Sequence, residues 1–234
     1  MSWTVLCDFD RTISIKDVTD TLLEQYALPQ WHDIEKEWEE GKIGSRECMQ
    51  KQIALLRATK AQVDELADSM QVDPYFKKFA ALCEARHVRL FIVSDGLDYI
   101  IKRVMTRLGL SNLPVIASHL AHTGEDRWEL TAPYANAQCG AGASTCKCAA
   151  SNNIRTFTHA DSILYIGDGR SDYCVSMNEA ELILAKDSLL TYCVENKLPH
   201  HAFKDFSEAA KLLEQIANKD RQKIPALTEE ALYA

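Results

Sequence analysis

The sequence has no cluster of basic residues. Its 26 lysines and arginines are scattered among 34 acids, and the formal net charge is −8. Nucleic-acid binding draws on a basic stripe or patch that neutralises phosphates, so no nucleic-acid partner is expected. No apolar run reaches the roughly 20 residues that a spanning helix needs, so no membrane partner is expected either. The chain enters its first apolar run within a few residues of Met1. That leaves no room for a secretory leader, and a cytoplasmic protein with its eight cysteines reduced is the expectation. Repeats and low-complexity tracts are absent as well. Cys139, Cys146 and Cys148 lie close together, but their spacing is not that of a standard zinc site. A fourth ligand would have to come from His119 or His122, and thiols packed around Lys147 are the simpler expectation. Cys7, Cys83, Cys174 and Cys193 sit in apolar surroundings and read as small core residues.

What is present fits a globular protein. The chain has 234 residues, 47% of them hydrophobic, enough to bury one large core or a core plus a smaller unit. The most informative segment is Val5-Leu6-Cys7-Asp8-Phe9-Asp10-Arg11-Thr12-Ile13, an apolar strand ending in two acids. In open α/β sheets the carboxyl ends of strands are where ligands bind. Residues i and i+2 of an extended chain share a face, so Asp8 and Asp10 can act together. One carboxylate can attack phosphorus while the other handles the proton of the leaving group. Two such anions side by side call for a hard cation.

Three more features join this one. Leu90-Phe91-Ile92-Val93-Ser94-Asp95-Gly96 is a second apolar run, ending in a hydroxyl and a glycine. A serine hydroxyl and bare backbone N–H groups suit phosphate oxygens, and a serine N-cap of a following helix is the competing reading. Ile163-Leu164-Tyr165-Ile166-Gly167-Asp168-Gly169-Arg170-Ser171-Asp172 is a third run, and a helical turn would aim Asp168 and Asp172 at one point. Paired carboxylates of this kind hold Mg²⁺ when water and substrate oxygens complete its shell. Lys147 stands between the second and third runs, where it could neutralise a phosphoryl group in flight.

In this order the four features resemble the haloacid dehalogenase superfamily, phosphatase branch, over about residues 4–217. The resemblance implies an aspartyl-phosphate mechanism with Asp8 as nucleophile and Asp10 as general acid, then base. Asp8, the Asp10 backbone carbonyl and Asp168 would hold Mg²⁺, with Asp172 close to the metal, and Lys147 would be catalytic. Thr12, Ser94, Asp95 and Gly96 would bind phosphate. Haloalkanoate dehalogenases of the superfamily lack the second aspartate, so Asp10 argues against that reaction. Many relatives have glycine where Arg11 stands; its side chain either adds charge near the phosphate or points into solvent.

The elements alternate as a doubly wound parallel α/β sheet requires, with an inserted helical cap. Helices are predicted from the Ser14 cap through Ala27, at about 30–40, 45–57 and 60–70, and from Asp73-Pro74 onward. The first is capped through Ser14-x-x-Asp17 and the fourth by Thr59. Strands are predicted at 88–93, 114–117, 162–167 and 182–185, with helices at 97–109, 147–157, 171–178, 188–195 and 206–217. The expected division is a core of 1–15 and 73–234, a cap of 16–72, and a polar tail from Asn218.

The cap should select the substrate. Trp31, Trp38, Met49 and Ile53 either line its closing surface or form its own core. Gly41-Lys42 and Leu55-Leu56 resemble phosphoserine phosphatases, in which an acid at the place of Asp17 reads the substrate ammonium. Those enzymes carry an arginine for the substrate carboxylate where Gln52 stands here, and an aromatic at Ser45, so phosphoserine is disfavoured. The Cys-Lys loop and Gly44-Ser45-Arg46-Glu47 are closer to the methionine-salvage phosphatases of 2-hydroxy-3-keto-5-methylthiopentenyl-1-phosphate. The expectation is therefore a Mg²⁺-dependent phosphomonoesterase of that type, monomer or homodimer, with Asp17, Arg46 and Gln52 reading a small phosphorylated substrate. The alternative is phosphoethanolamine or phosphocholine, held by Asp17 and the tryptophans. A phosphotransferase or a non-hydrolytic binding protein is the remaining reading.

Overall fold

The structure is a computed structural model that describes residues 2–222. Seven strands form one sheet in the order β4-β3-β2-β1-β5-β6-β7. They are β1 (Trp3–Cys7), β2 (Arg89–Leu97), β3 (Val115–His122), β4 (Trp128–Thr131), β5 (Ser162–Gly167), β6 (Leu182–Ala185) and β7 (His200–Ala202). All pairs are parallel except β3 with β4. The chain builds outward from β1 through β2 and β3, then returns to β5 on its other side. The carboxyl ends of β1, β2 and β5 thus flank the point where strand order reverses, the usual ligand crevice of such sheets.

Side-chain alternation divides the core. Val5, Cys7, Leu90, Ile92, Leu164 and Ile166 face one layer, packed with α5 (Phe76–Ala85), α6 (Asp98–Arg107) and α10 (Phe206–Gln222). Leu6, Phe91, Val93, Ile163 and Tyr165 face the opposite layer, against α7 (Lys147–Thr158) and α8 (Tyr173–Asn178). Both faces are covered, so the central strands read as continuous apolar runs rather than alternating ones. At the sheet edge, α9 (Asp187–Glu195) packs on β6.

Between β1 and α5 the chain inserts α1 (Val18–Tyr26), α2 (Trp31–Glu39), α3 (Ser45–Ala54) and α4 (Lys60–Ser69). The two ends of the insertion meet. Ile15 N–H donates to Gln71 O at 3.0 Å and Asp73 N–H to Ile13 O at 2.8 Å. On its outer side α4 is bonded to α6: Arg103 makes two hydrogen bonds to Asp68, at 2.8 and 2.7 Å, and Tyr99 OH donates to Asp64.

Several local expectations need correction. Asp17, not Ser14, caps α1, its carboxylate accepting from Asp20 N–H at 3.0 Å. The Ser14 hydroxyl turns back to Lys16 O instead. The third helix stops at Ala54 because Leu56 leaves it to bridge with Ala27. Asp73 heads a turn, not a helix: it accepts from Tyr75 N–H and from Phe206 N–H, tying α10 to the end of the insertion. Strand β2 continues through Ser94, Asp95 and Gly96, so Ser94 caps no helix. Strands β4 and β7 are too short for their sequences to signal. The Thr59 cap stands as expected, closed by a reciprocal bond with Gln62. Of the expected tail, 218–222 continue α10 and 223–234 lie outside the described residues.

Candidate active site

The site forms where β1, β2 and β5 end. Asp8 follows β1 directly and is 5% exposed. Its Oδ1 accepts from Phe9 N–H at 2.7 Å, and its Oδ2 lies 3.0 Å from Lys147 Nζ. Lys147 opens α7, which carries it under the sheet edge, where it is 4% exposed. Its ammonium also donates to Asp172 Oδ1 at 2.6 Å and to Ser171 Oγ at 2.9 Å. Burial works against this charge, but Asp172, Asp8 and Asp95 outweigh it and hold the ammonium above its ordinary range. Burial likewise pushes the Asp8 carboxyl well up, with Lys147 pulling the other way.

Asp172 is fully buried and saturated with donors. Besides Lys147 it accepts from Tyr165 OH at 2.5 Å and from the N–H groups of Asp168 and Gly169, both at 3.0 Å. These bonds turn Asp172 into the brace that fixes Lys147 and the Asp168 loop. A Cβ on Gly167 would meet the Asp172 carboxylate at 2.4 Å, so only glycine fits there. Asp168 faces Asp8 and accepts from Thr12 Oγ1 at 2.8 Å. Burial first, then repulsion from Asp172, raises its carboxyl to about 6. Oxygens of Asp8, Asp168 and Asp172 lie within 4.8 Å of one another. Three clustered carboxylates around one ammonium leave negative charge over, and an all-oxygen set of this kind suits a hard divalent cation. Asp8 and Asp168 are the fitting direct ligands; Asp172 has its oxygens engaged by four donors.

Asp10 turns toward the cavity. Its Oδ1 accepts from Val18 N–H at 2.8 Å, which locks the first turn of α1 to the site. Burial, then the charge of Asp17, pushes the Asp10 carboxyl well up. A carboxyl held neutral can donate a proton. The Cβ of any residue at Gly96 would lie 2.4 Å from Asp10 Oδ2, so this glycine makes room for the acid. Ser94 is buried, and its Oγ accepts from Gly96 N–H at 3.0 Å, leaving its own proton to offer.

Three expected substrate residues do otherwise, the first being Thr12, whose hydroxyl is given to Asp168. Asp95 binds protein with both oxygens, accepting from Thr145 N–H at 2.6 Å and Ser45 Oγ at 2.9 Å. It links α3 to the loop before α7 and, as an anion, is unsuited to phosphate. Arg46 is exposed, and among the described residues its engagement is through the backbone, N–H to Gly142 O at 3.1 Å. The glycines there are needed for contact: a Cβ on Gly44 would sit 2.9 Å from Gly142 O. Gln52 and Asp17 do line the cavity, which measures about 500 Å³. So do Trp38 and Met49, whereas Trp31 and Ile53 are buried in the core cluster. Arg11 is largely in solvent, 3.7 Å from Asp20, with φ of 55°. That left-handed backbone explains why glycine suits this position. Among the described residues the one group of acids, histidines or cysteines placed to hold a metal is Asp8, Asp168 and Asp172.

Sequence reasoning missed Tyr165, Asp20 and Glu35. A tyrosine in an all-buried strand needs a partner for its hydroxyl, and that signal was available. Asp20 and Glu35 sit on helices, where acids normally face water; the folded chain brings both to the lining of one cavity.

Known proteins resemble the chain over most of its length. The chain is 26% identical over 215 residues to the 2-hydroxy-3-keto-5-methylthiopentenyl-1-phosphate phosphatase of Brevibacillus brevis, covering 91% of this chain and 95% of that one. It is 28% identical to the protein of the same name from Geobacillus thermodenitrificans, with coverage of 91% and 96%. Among solved structures, a phospho-aspartyl intermediate analogue of phosphoserine phosphatase superposes with a TM-score of 0.69 at 19% identity, over 90% of this chain and 98% of that one. The sequence profile of the haloacid dehalogenase-like hydrolases matches residues 5–176, and the chain belongs to that family.

Proposed function

We propose that the protein is a Mg²⁺-dependent phosphomonoesterase that works through an aspartyl phosphate on Asp8. The observation that carries this reading is the Asp8 carboxylate, buried between the Lys147 ammonium and Asp168, with Asp10, whose carboxyl burial pushes up, lining the same cavity. Asp8 attacks phosphorus, forming the Asp8 Oδ–P bond as the bond to the leaving oxygen breaks. Asp10 gives its proton to that oxygen, so an alcohol departs. Asp10, now a carboxylate, takes a proton from water as the water attacks phosphorus; the Asp8 Oδ–P bond breaks and inorganic phosphate leaves. Lys147 and the Ser94 hydroxyl hold the phosphoryl oxygens through both steps. Mg²⁺ held by Asp8, Asp168 and the Asp10 backbone carbonyl would supply further charge neutralisation on those oxygens.

The shared name of the curated relatives, at near-full coverage, supports the methionine-salvage ester as substrate. The reading also includes a cytoplasmic location and a monomer or homodimer; among the described residues no helix is long and apolar enough to cross a membrane. The test is phosphate release from that ester and from an aryl phosphate, with EDTA and with added Mg²⁺, and with and without acceptor alcohols. Release that needs Mg²⁺ and no acceptor supports hydrolysis; product only with an acceptor would make the protein a phosphotransferase. No release from any ester would overturn the reading.

A further inference from the structure

The insertion roofs the cavity, and its helices are held to the core in different ways. On one side the attachment is by hydrogen bonds: Ser45 Oγ on α3 donates to Asp95 at 2.9 Å, and α4 is bonded to α6 through Asp68 and Asp64. Helix α2 is held otherwise. Its acids pair within the insertion, Glu35 with Gln52 at 2.7 Å and Glu37 with Lys51 at 3.6 Å. Trp38, near its carboxyl end, reaches across to the core instead: the Arg170 guanidinium carbon lies 5.6 Å from the centre of its ring. Trp38 and Arg170 line the same cavity from opposite sides.

Arg170 has no part in the steps at phosphorus, yet it sits between the groups that do. It stands between Asp168 and Asp172, and its neighbour Ser171 accepts from Lys147 Nζ at 2.9 Å. A side chain that leaves this loop for α2 therefore joins the rim of the cavity to the loop that steadies the catalytic ammonium. Arg170 is exposed and Trp38 half-buried. An exposed guanidinium stacked on an indole is weakly held, so the contact can part to admit an ester and form again behind it. Beside Trp38 the cavity is lined by Met49, which gives an alkyl chain an apolar surface to lie on.

We infer that Arg170 is a specificity-determining residue: laid on Trp38, it closes the cavity over a leaving group long enough to reach the insertion and adds nothing for a short one. The inference rests on the phosphomonoesterase reading and adds to it how the length of the alcohol is read. Arg170 acts here through Trp38, so the two side chains should behave as one unit.

The test compares n-pentyl phosphate with methyl phosphate, two esters whose uncharged alcohols leave with nearly equal ease and differ in length. The parent should favour n-pentyl phosphate in kcat/KM by roughly tenfold or more, since each buried methylene adds discrimination. Arg170→Met and Trp38→Leu should each cut that ratio several-fold, while methyl phosphate hydrolysis shows that the site itself is intact. The double variant should lose no more than the worse single one, because either change already breaks the contact. Lys78→Met, which removes an exposed cation on α5, should leave the ratio as it is. A parental ratio near one, a ratio untouched by Arg170→Met, or losses that add in the double variant would overturn the inference, with methyl phosphate hydrolysis leaving the phosphatase reading standing. Failure of the parent to hydrolyse any ester would instead strike the phosphatase reading.

Discussion

Replacing Lys147 by methionine leaves an unbranched side chain one atom shorter and removes the ammonium with its N–H donors. The side chain of Lys147 is 3% exposed, that of Asp8 7% and that of Asp172 0%, so solvent can do little to replace the lost cation. Removing one partner of a buried ion pair costs about 3–5 kcal/mol, because the opposite charge stays buried and unpaired. For a chain of this size each kcal/mol shifts Tm by roughly 2–4 °C, so Lys147→Met should melt ~6–20 °C below the parent. The loss should depend on pH. Burial already raises the Asp8 carboxyl, and without Lys147 it rises further. An acid whose folded value lies above its unfolded one leaves the fold most stable at low pH, and that stability is lost as pH rises through the folded value. The Tm gap should therefore be widest above neutrality and narrow on acidification. Mg²⁺ should narrow it as well, by restoring positive charge beside Asp8. Activity should fall by about 10²–10³-fold or more, the typical result of deleting one electrostatic donor. Thermal melts of parent and variant across pH, with and without Mg²⁺, read all of this. A variant that melts with the parent at every pH, or hydrolyses substrate at the parental rate, would refute the reasoning.

Other perturbations separate the parts of the site. Gly96→Ala puts a methyl group against Asp10 Oδ2, a movable side-chain end, so Tm should drop by only a few degrees while kcat falls by about 10²-fold or more, as displaced acid catalysis requires. Asp20→Asn should raise Tm at neutral and higher pH: burial, then Asp17 and Glu35, lift this carboxyl to about 6, so its ionisation costs stability above that pH and nothing below about 4. That gain should vanish in melts run near pH 4, and a gain that persists there would remove repulsion as its cause. Asp95→Asn turns a donor toward Thr145 N–H or loses Ser45, so KM for a small ester should rise while Mg²⁺ dependence stays unchanged; an unaltered KM would show that the link from α3 to the Cys loop does not control the cavity.

The sheet and the reacting groups were legible because strong local signals coincide with them. Apolar runs ending in Asp8, Ser94 and Asp168 mark the central strands, and the carboxyl ends of those strands must converge where strand order reverses. Lys147 was legible from its place in that series. The brace was less so: Asp172 looks like a ligand in sequence, and only the bonds from Tyr165 and two backbone N–H groups engage its oxygens otherwise. Arg46 illustrates the limit of periodicity. It starts α3 beside Ser45, which does reach Asp95, yet one residue along the helix turns its side chain into solvent. The acids Asp20 and Glu35 could not be told from ordinary solvated helix faces, because their sharing one cavity depends on how the insertion folds, a non-local fact. Strand β7 was invisible for a related reason: His200–Ala202 has no apolar pattern and is ordered by pairing with β6.

The central claim is that Asp8 carries the phosphoryl group. The most direct measurement is rapid acid quench of the enzyme turning over a phosphate-labelled ester with Mg²⁺, followed by mapping of the label. The account predicts label on Asp8, stable in acid and released by hydroxylamine as an acyl phosphate is, and none in Asp8→Asn. Label on another residue, or an Asp8→Asn variant that still turns over at the parental rate, would contradict it.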